Sequence, residues 1–466
     1  MASSRRLFLG GAILAWLGVA AFLLTVAGGI LLAPASQEGK LEGYGPLVKD
    51  QAKILDLPKG FSYTIIARAG DKMTDGFYVP GLADGMSASA GPDETTILVC
   101  NHEYRVGYPA SVGPFKGKKS LSGKVGRDMI YDPGNKGHLC LGSTTTLIYD
   151  TNAHKLKSHF LNMVGTLVNC SGTITPSNTW LSSEEVFENP GEDFAQRHGY
   201  VFEGPISTEP RVIKPVALKA MGRFKHEGIA VSPQTGVVLL TEDQIDGLLY
   251  RFVPDKPGQL AEGGRLQCLA VMDKPQFDTR NWKGAAVSPG EVLPVYWIDL
   301  DNVDPETDDL RMRGYKLGAA LFAGAEGICM SDGIVYFDCT NGSRTGRGQV
   351  WSYTPSPLEG TPGEKESPAR LELLVEPNDE LIMDHPDQIT VAPWGDIFVC
   401  EDGNDGNYLL GITPQREIYK FAWNALNESD LSGACFSPDG STMFLNILEP
   451  GLTLAVIGPW KRSPEN

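Results

Sequence analysis

Carboxylates recur at fixed places in this sequence, and one stretch shows why that matters. Residues 225–243 read KHEGIAVSPQTGVVLLTED. An apolar strand opens at Glu227, a Ser-Pro-Gln-Thr-Gly turn follows, and a second strand ends on Glu242 and Asp243. An antiparallel hairpin brings its open ends together, so three carboxylates meet at one sheet edge. Like charges placed side by side repel. A positive partner is expected there.

The unit recurs. Glu227 stands six positions before the turn residue Pro233, and the same step separates Cys170 from Pro176, Glu326 from Asp332, Asp387 from Pro393 and Ser432 from Pro438, with a looser copy from Asp84 to Ala90. Each turn leads into a short strand with a polar end: CNHE (100–103), SSEE (182–185), TED (241–243), DCTN (338–341), CEDG (400–403) and LNI (445–447). The leading positions are therefore Asp84, Cys170, Glu227, Glu326, Asp387 and Ser432, five of them acidic or able to become so. Gathering such groups in a partly desolvated site is costly without compensation, and bound cations are the simplest remedy. The expectation is a polynuclear metal site. Carboxylate oxygens suit calcium or magnesium, whereas a Cys170 thiolate suits iron or zinc. Histidine is scarce, at seven residues with no HxH or HExxH pairing, which argues against an imidazole-based zinc site. His102 and His226 adjoin unit carboxylates, as ligands or, the reading favoured here, as groups that orient ligands. No GxSxG elbow or GxxxxGK[ST] loop is present, so catalysis should be metal-assisted.

These residues need elements that converge. Six hairpins, separated by further strand signals such as GLLYRFV (247–253) and GQVWSY (348–353), point to an all-β fold: a six-bladed β-propeller with the metal site at the mouth of its central channel. The competing arrangement is a pair of β-sandwiches with unrelated turns. Only LTLAVIGPW follows the last hairpin, too little for a full sheet, so the early strand in FSYTIIA is expected to complete it and lock the ring.

The whole chain has 466 residues, 42% hydrophobic and 21% charged, the profile of a globular protein. Residues 1–35 stand apart. Arg5 and Arg6 precede an apolar run to Leu32 and the small-residue site APA, the pattern of a twin-arginine signal read by that export machinery. The run is also long enough for a retained membrane anchor. Residues 36–466 then form a single propeller domain, taken as a monomer, periplasmic or extracellular. The two arginines are the segment's only charges, so the remainder is more acidic than the chain's net −17. That balance argues against nucleic acid or anionic membrane as partners. Eight cysteines show no CxxC spacing, and Cys100, Cys339 and Cys400 end apolar strands as small buried hydrophobes would.

The ordered motifs resemble the PhoX-type alkaline phosphatases. They include GYGPLVKD (43–50), LPKGFSYTII (57–66), DGM with NHE (84–86, 101–103), GSTTTL (142–147), NCSGTITPSNTWLSSEE (169–185), HGYVFE (198–203), GRFKHEG (222–228), AEG with GQVW, PDQI (386–389), LSGACFSPDG (431–440) and GPW (458–460). The resemblance implies a six-bladed propeller whose mouth holds Fe(3+) and Ca(2+) ions bridged by an oxo group, acting on small phosphomonoesters. Cys170, Glu227 and Glu326 would be iron ligands. Calcium would fall among Glu184, Glu185, Glu242, Asp243, Asp387, Glu401 and Asp402, with Asp84 in the ring beside them. The chain departs from the family at Gly324, where an arginine is usual, and Arg344 or Arg347 could contact phosphate in its place. Ser177 replaces a usual aromatic and is expected to open the site mouth. The departure at Gly324 keeps in view another metal-dependent hydrolase on the same propeller, a phosphodiesterase or lactonase; an acidic ring holding only structural calcium, with Cys170 merely buried, would instead mean a non-catalytic binding propeller stabilised by metal.

Overall fold

The computed structural model describes residues 43–135, 139–404 and 406–461. The export-signal segment falls outside the described residues.

All six expected hairpins form. Their first strands are Ala83–Ala90, Asn169–Ile174, His226–Val231, Ala325–Ser331, Pro386–Val391 and Leu431–Phe436. Each pairs antiparallel with the strand that follows it, ending at His102, Glu184, Glu242, Cys339, Glu401 and Ile447 respectively. The first strands neighbour one another in chain order, and the last returns to the first, closing a ring around a channel. Later strands extend each hairpin outward, as Gly142–Asp150 and Lys155–Thr166 do beside Thr95–His102. The architecture is a β-propeller.

The last sheet draws its outer strand from the other end of the chain. Ser62–Arg68 pairs with Leu452–Ile457, placing Ile65 opposite Leu454 and Tyr63 opposite Val456. Two features go beyond the hairpin pattern. Val292–Asp299 joins two neighbouring runs of four strands into one nine-stranded sheet, and Leu47–Val48 with Leu55–Pro58 extends another sheet outward from Ile418–Asn424. Between sheets the core is apolar: Leu98, Leu147 and Leu161 of the first pack with Phe444 and Ala455 of the last, each large side chain contributing about 1.5–3 kcal/mol on burial.

Two local devices shape the mouth. In every hairpin the ladder slips near the open end, and in five the slipped segment contains the leading residue, Asp84, Cys170, Glu227, Glu326 or Asp387. Such bulges leave a residue unpaired and re-aim its side chain. Ser432 instead stays paired, opposite Asn446. Glycine then follows the leading residue in four units. A Cβ on Gly85 would lie 2.6 Å from the Cys170 carbonyl oxygen, and one on Gly228 2.6 Å from that of Glu326. Gly327 meets the Asp387–Gln388 backbone and Gly433 the Asp84 carbonyl in the same way. Any side chain at these positions would push neighbouring inner strands apart, so the glycines hold the leading residues close together.

Candidate metal centre

The bulged strands converge their acids. Asp84, Cys170, Glu227 and Glu326 are buried, and Asp387 is half-buried. The Cys170 thiol donates to Glu227 Oε1 at 2.7 Å. Ligand-capable atoms of Cys170, Glu185 and Glu227 lie within 4.8 Å of one another, and so do those of Glu227, Glu326 and Asp387. Glu227 belongs to both groups. Gln388 links the ring further: its Nε2 donates to Asp84 Oδ1 at 2.7 Å, and its Oε1 accepts from the Gly433 amide at 2.7 Å.

A second tier comes from the residue just after each second strand, supplying Glu103, Glu185, Asp243 and the exposed Asp402. Two cations thread it. Arg105 Nε donates to Glu103 at 2.8 Å and its guanidinium lies 3.7 Å from Glu185. Lys225 Nζ bridges Glu185 at 2.9 Å and Asp243 at 2.8 Å. Sequence reasoning missed Glu103, Arg105 and Lys225. Glu103 was signalled by its place at the end of CNHE, equivalent to Glu185 in SSEE.

Burial and then mutual repulsion hold the carboxyls of Asp84, Glu227, Glu326 and Asp387 well above the usual range. Burial raises the Cys170 thiol too, followed by the charges of Asp84 and Glu227. Glu185 is pushed up to about 8 by burial and then by Glu103. Without cations these groups can share the space only by retaining protons. A donor set of oxygens with one thiolate fits a mixed site of hard cations and a transition metal.

Three of the expected ligands are not brought into the ring groups. Glu184, Glu242 and Glu401 are the last residues of their strands, and their carboxylates are already engaged with the protein interior. Glu184 accepts from the amides of Leu167 and Gly199, each at 2.9 Å, and holds His198 Nδ1 at 2.7 Å. Glu242 accepts from the Leu248 amide at 3.2 Å and the Tyr250 hydroxyl at 2.9 Å. Glu401 accepts from the amides of Asp384 at 2.7 Å and Tyr408 at 3.0 Å. All three cap the chain as it returns into the third strand. Successive strand residues face opposite sides, which leaves Glu185, Asp243 and Asp402 at the mouth.

His102 and His226 share that inward phase. His102 lies between the Gly81 carbonyl at 3.1 Å and Thr145 Oγ1 at 2.9 Å, and His226 Nε2 donates to the Gly222 carbonyl at 3.1 Å while its ring packs on Phe224. Burial lowers them to about 4 and about 3, so both are neutral interior groups.

Arg347 is engaged by Asp384 at 2.8 Å and Glu380 at 2.7 Å, and Arg344 stands exposed in the same loop. Gly324 adjoins the ring: a Cβ there would lie 3.1 Å from Glu326 Oε1 and 3.6 Å from Asp243 Oδ1, and its φ of +58° is left-handed. Ser177 does not open the mouth. It sits in the hairpin turn at the opposite end of its strands, lining a cavity of about 210 Å³ with Pro233 and Gly258. The larger cavity of about 540 Å³ also belongs to the turn end of the channel, where Ser171, Thr173, Gln234 and Thr390 line it. The buried acids gather at the other end.

The family model for alkaline phosphatase PhoX matches residues 42–451. Among solved structures, Pseudomonas fluorescens PhoX in complex with vanadate, a transition state analogue, superposes with a TM-score of 0.62 at 17% identity, covering 89% of this chain and 97% of that one. A gluconolactonase from Xanthomonas campestris matches at a TM-score of 0.42 and 10% identity, covering 90% of this chain and 99% of that one. No curated protein matches the chain in sequence. The PhoX model spans nearly all of the described propeller, and the chain belongs to the PhoX alkaline phosphatase family.

Proposed function

We propose that the ring is an iron–calcium centre that hydrolyses phosphomonoesters. The observation that carries this is Glu227, common to two ligand groups and 2.7 Å from the Cys170 thiol. Iron would be held by Cys170, Glu227 and Glu326, and calcium by Asp84, Glu185, Asp243 and Asp387, with Glu103 and Asp402 at the rim. Cations bound there supply charge neutralisation of the phosphoryl oxygens and a template for in-line displacement.

The chain's own residues complete the site. Lys225 and Arg105 are tied to Glu185, Asp243 and Glu103. With cations on those carboxylates, the two side chains would be available to donate to phosphate oxygens, the task otherwise left vacant by Gly324. Donors aimed at developing charge in a desolvated site stabilise the transition state. Arg347, committed to Asp384 and Glu380, is less well placed for that role. Arg5, Arg6 and the apolar run behind them support delivery by the twin-arginine machinery to the periplasm or exterior. Among the described residues no helix is long and apolar enough to cross a membrane. The propeller is proposed to work as a monomer on small phosphate esters.

The test is release of phosphate from an aryl phosphate at alkaline pH, by protein purified without chelator and supplied with calcium. Hydrolysis is expected, with activity and iron both lost in Cys170→Ala. Lys225→Met should lower kcat by about 10²–10³-fold, as removal of a transition-state donor does. Folded, metal-loaded protein that spares the monoester would overturn the reading. Turnover of a phosphodiester or lactone would then identify another hydrolase, and inertness towards all three a binding propeller.

A further inference from the structure

Away from the ring, a second cluster joins three ligand types. Asp132 and His198 are fully buried and Cys140 nearly so. His198 Nε2 lies 3.0 Å from Asp132 Oδ2 and 3.9 Å from Cys140 Sγ, and ligand atoms of all three fall within 4.8 Å of one another. The other ring nitrogen, Nδ1, lies 2.7 Å from Glu184 Oε1. A carboxylate in that place orients the ring and points Nε2 at Asp132 and Cys140, the usual support behind a metal-bound histidine.

We infer that Asp132, Cys140 and His198 form a second, separate metal site that takes zinc. One carboxylate oxygen, one thiolate and one imidazole make a borderline-soft set suited to that ion. The observed separations are close to those between ligands of a tetrahedral centre with bonds of about 2.0–2.3 Å. Cys140 also lines a cavity of about 420 Å³ with Tyr104, Leu167 and Phe194, so one of the three ligands borders open space. Asp132 is held rigid by amides of Gly134 at 2.7 Å and of Ala195 and Gln196, each at 3.0 Å. Zinc would therefore tie the segment around Asp132 and Cys140 to the one carrying His198. Binding displaces two protons, one from the Cys140 thiol and one from His198 Nε2. In the metal-free state the same atoms leave an imidazolium between Asp132 and Glu184.

Cobalt(II) distinguishes the two states in the full chain. Cys170→Ala removes the thiolate from the ring, so a thiolate-to-cobalt charge-transfer band in that variant is expected to come from Cys140. The band should vanish in Cys140→Ala/Cys170→Ala, together with one bound metal per chain. No band in folded Cys170→Ala, or equal metal content with and without Cys140, would overturn the site. Should Cys170→Ala not fold, peptide-resolved alkylation of the unaltered protein serves. Added zinc is expected to suppress labelling of Cys140, and an unchanged rate would count against the proposal. Neither readout depends on phosphatase activity.

Discussion

Neighbours one position apart have opposite roles in this molecule. Glu184 caps backbone amides while Glu185 faces Lys225 and Cys170, and Glu242 and Asp243 divide the same way. Glu401→Ala should therefore cost about 1–3 kcal/mol by stranding buried amides, seen in urea unfolding with metal content unchanged. Glu185→Ala should do the reverse, lowering metal content and activity while the chelated protein unfolds at nearly the wild-type midpoint. Loss of metal in both variants would show that the division is misread. Residue type alone could not reveal it. The repeat located each acidic pair, but which member turns inward depends on strand phase at a bulge, and all the acids look alike in sequence. Gly324 was legible as a departure from the family, whereas its left-handed backbone was not.

Among the elements, the hairpins were the legible part because each carries a turn signal at a constant step from an apolar strand. Val292–Asp299 and Leu55–Pro58 were not, since each lies outside the repeated unit and finds its partner far along the chain. Closure by the N-terminal strand was readable only by counting what the last sheet lacked. Its pairing joins Ser62–Arg68 to Leu452–Ile457 through a ladder from end to end. Amides of the two strands are expected to exchange with solvent as one cooperative unit, near the slowest rates in the protein. Hydrogen exchange resolved by peptide tests this, and fast exchange confined to 62–68 would mean the strand frays independently.

Taken whole, the protein places a dense set of acids inside a chain whose net charge is already −17. In metal-free protein, burial raises Glu185 and Glu242 to about 8 and Glu401 to about 7. The folded state then binds protons at these three groups that the unfolded chain has released, so their contribution to stability is lost as pH rises from about 4.5 to about 8. At Glu185 and the other ring acids, calcium competes with the protons. It should raise the thermal midpoint more at about pH 8.5 than at about pH 5.5, because there it has fewer protons to displace. Equal shifts at both pH values would argue against acids as its ligands. The closing strand pair sets a further condition, one of timing. A chain made from its N terminus presents Ser62–Arg68 early but cannot seat it until Leu452–Ile457 has been synthesised. The mouth needs all six first strands side by side. Assembly of the metal centre is thus an event in the life of the finished chain, and the compartment where the ring shuts decides which ions it meets first.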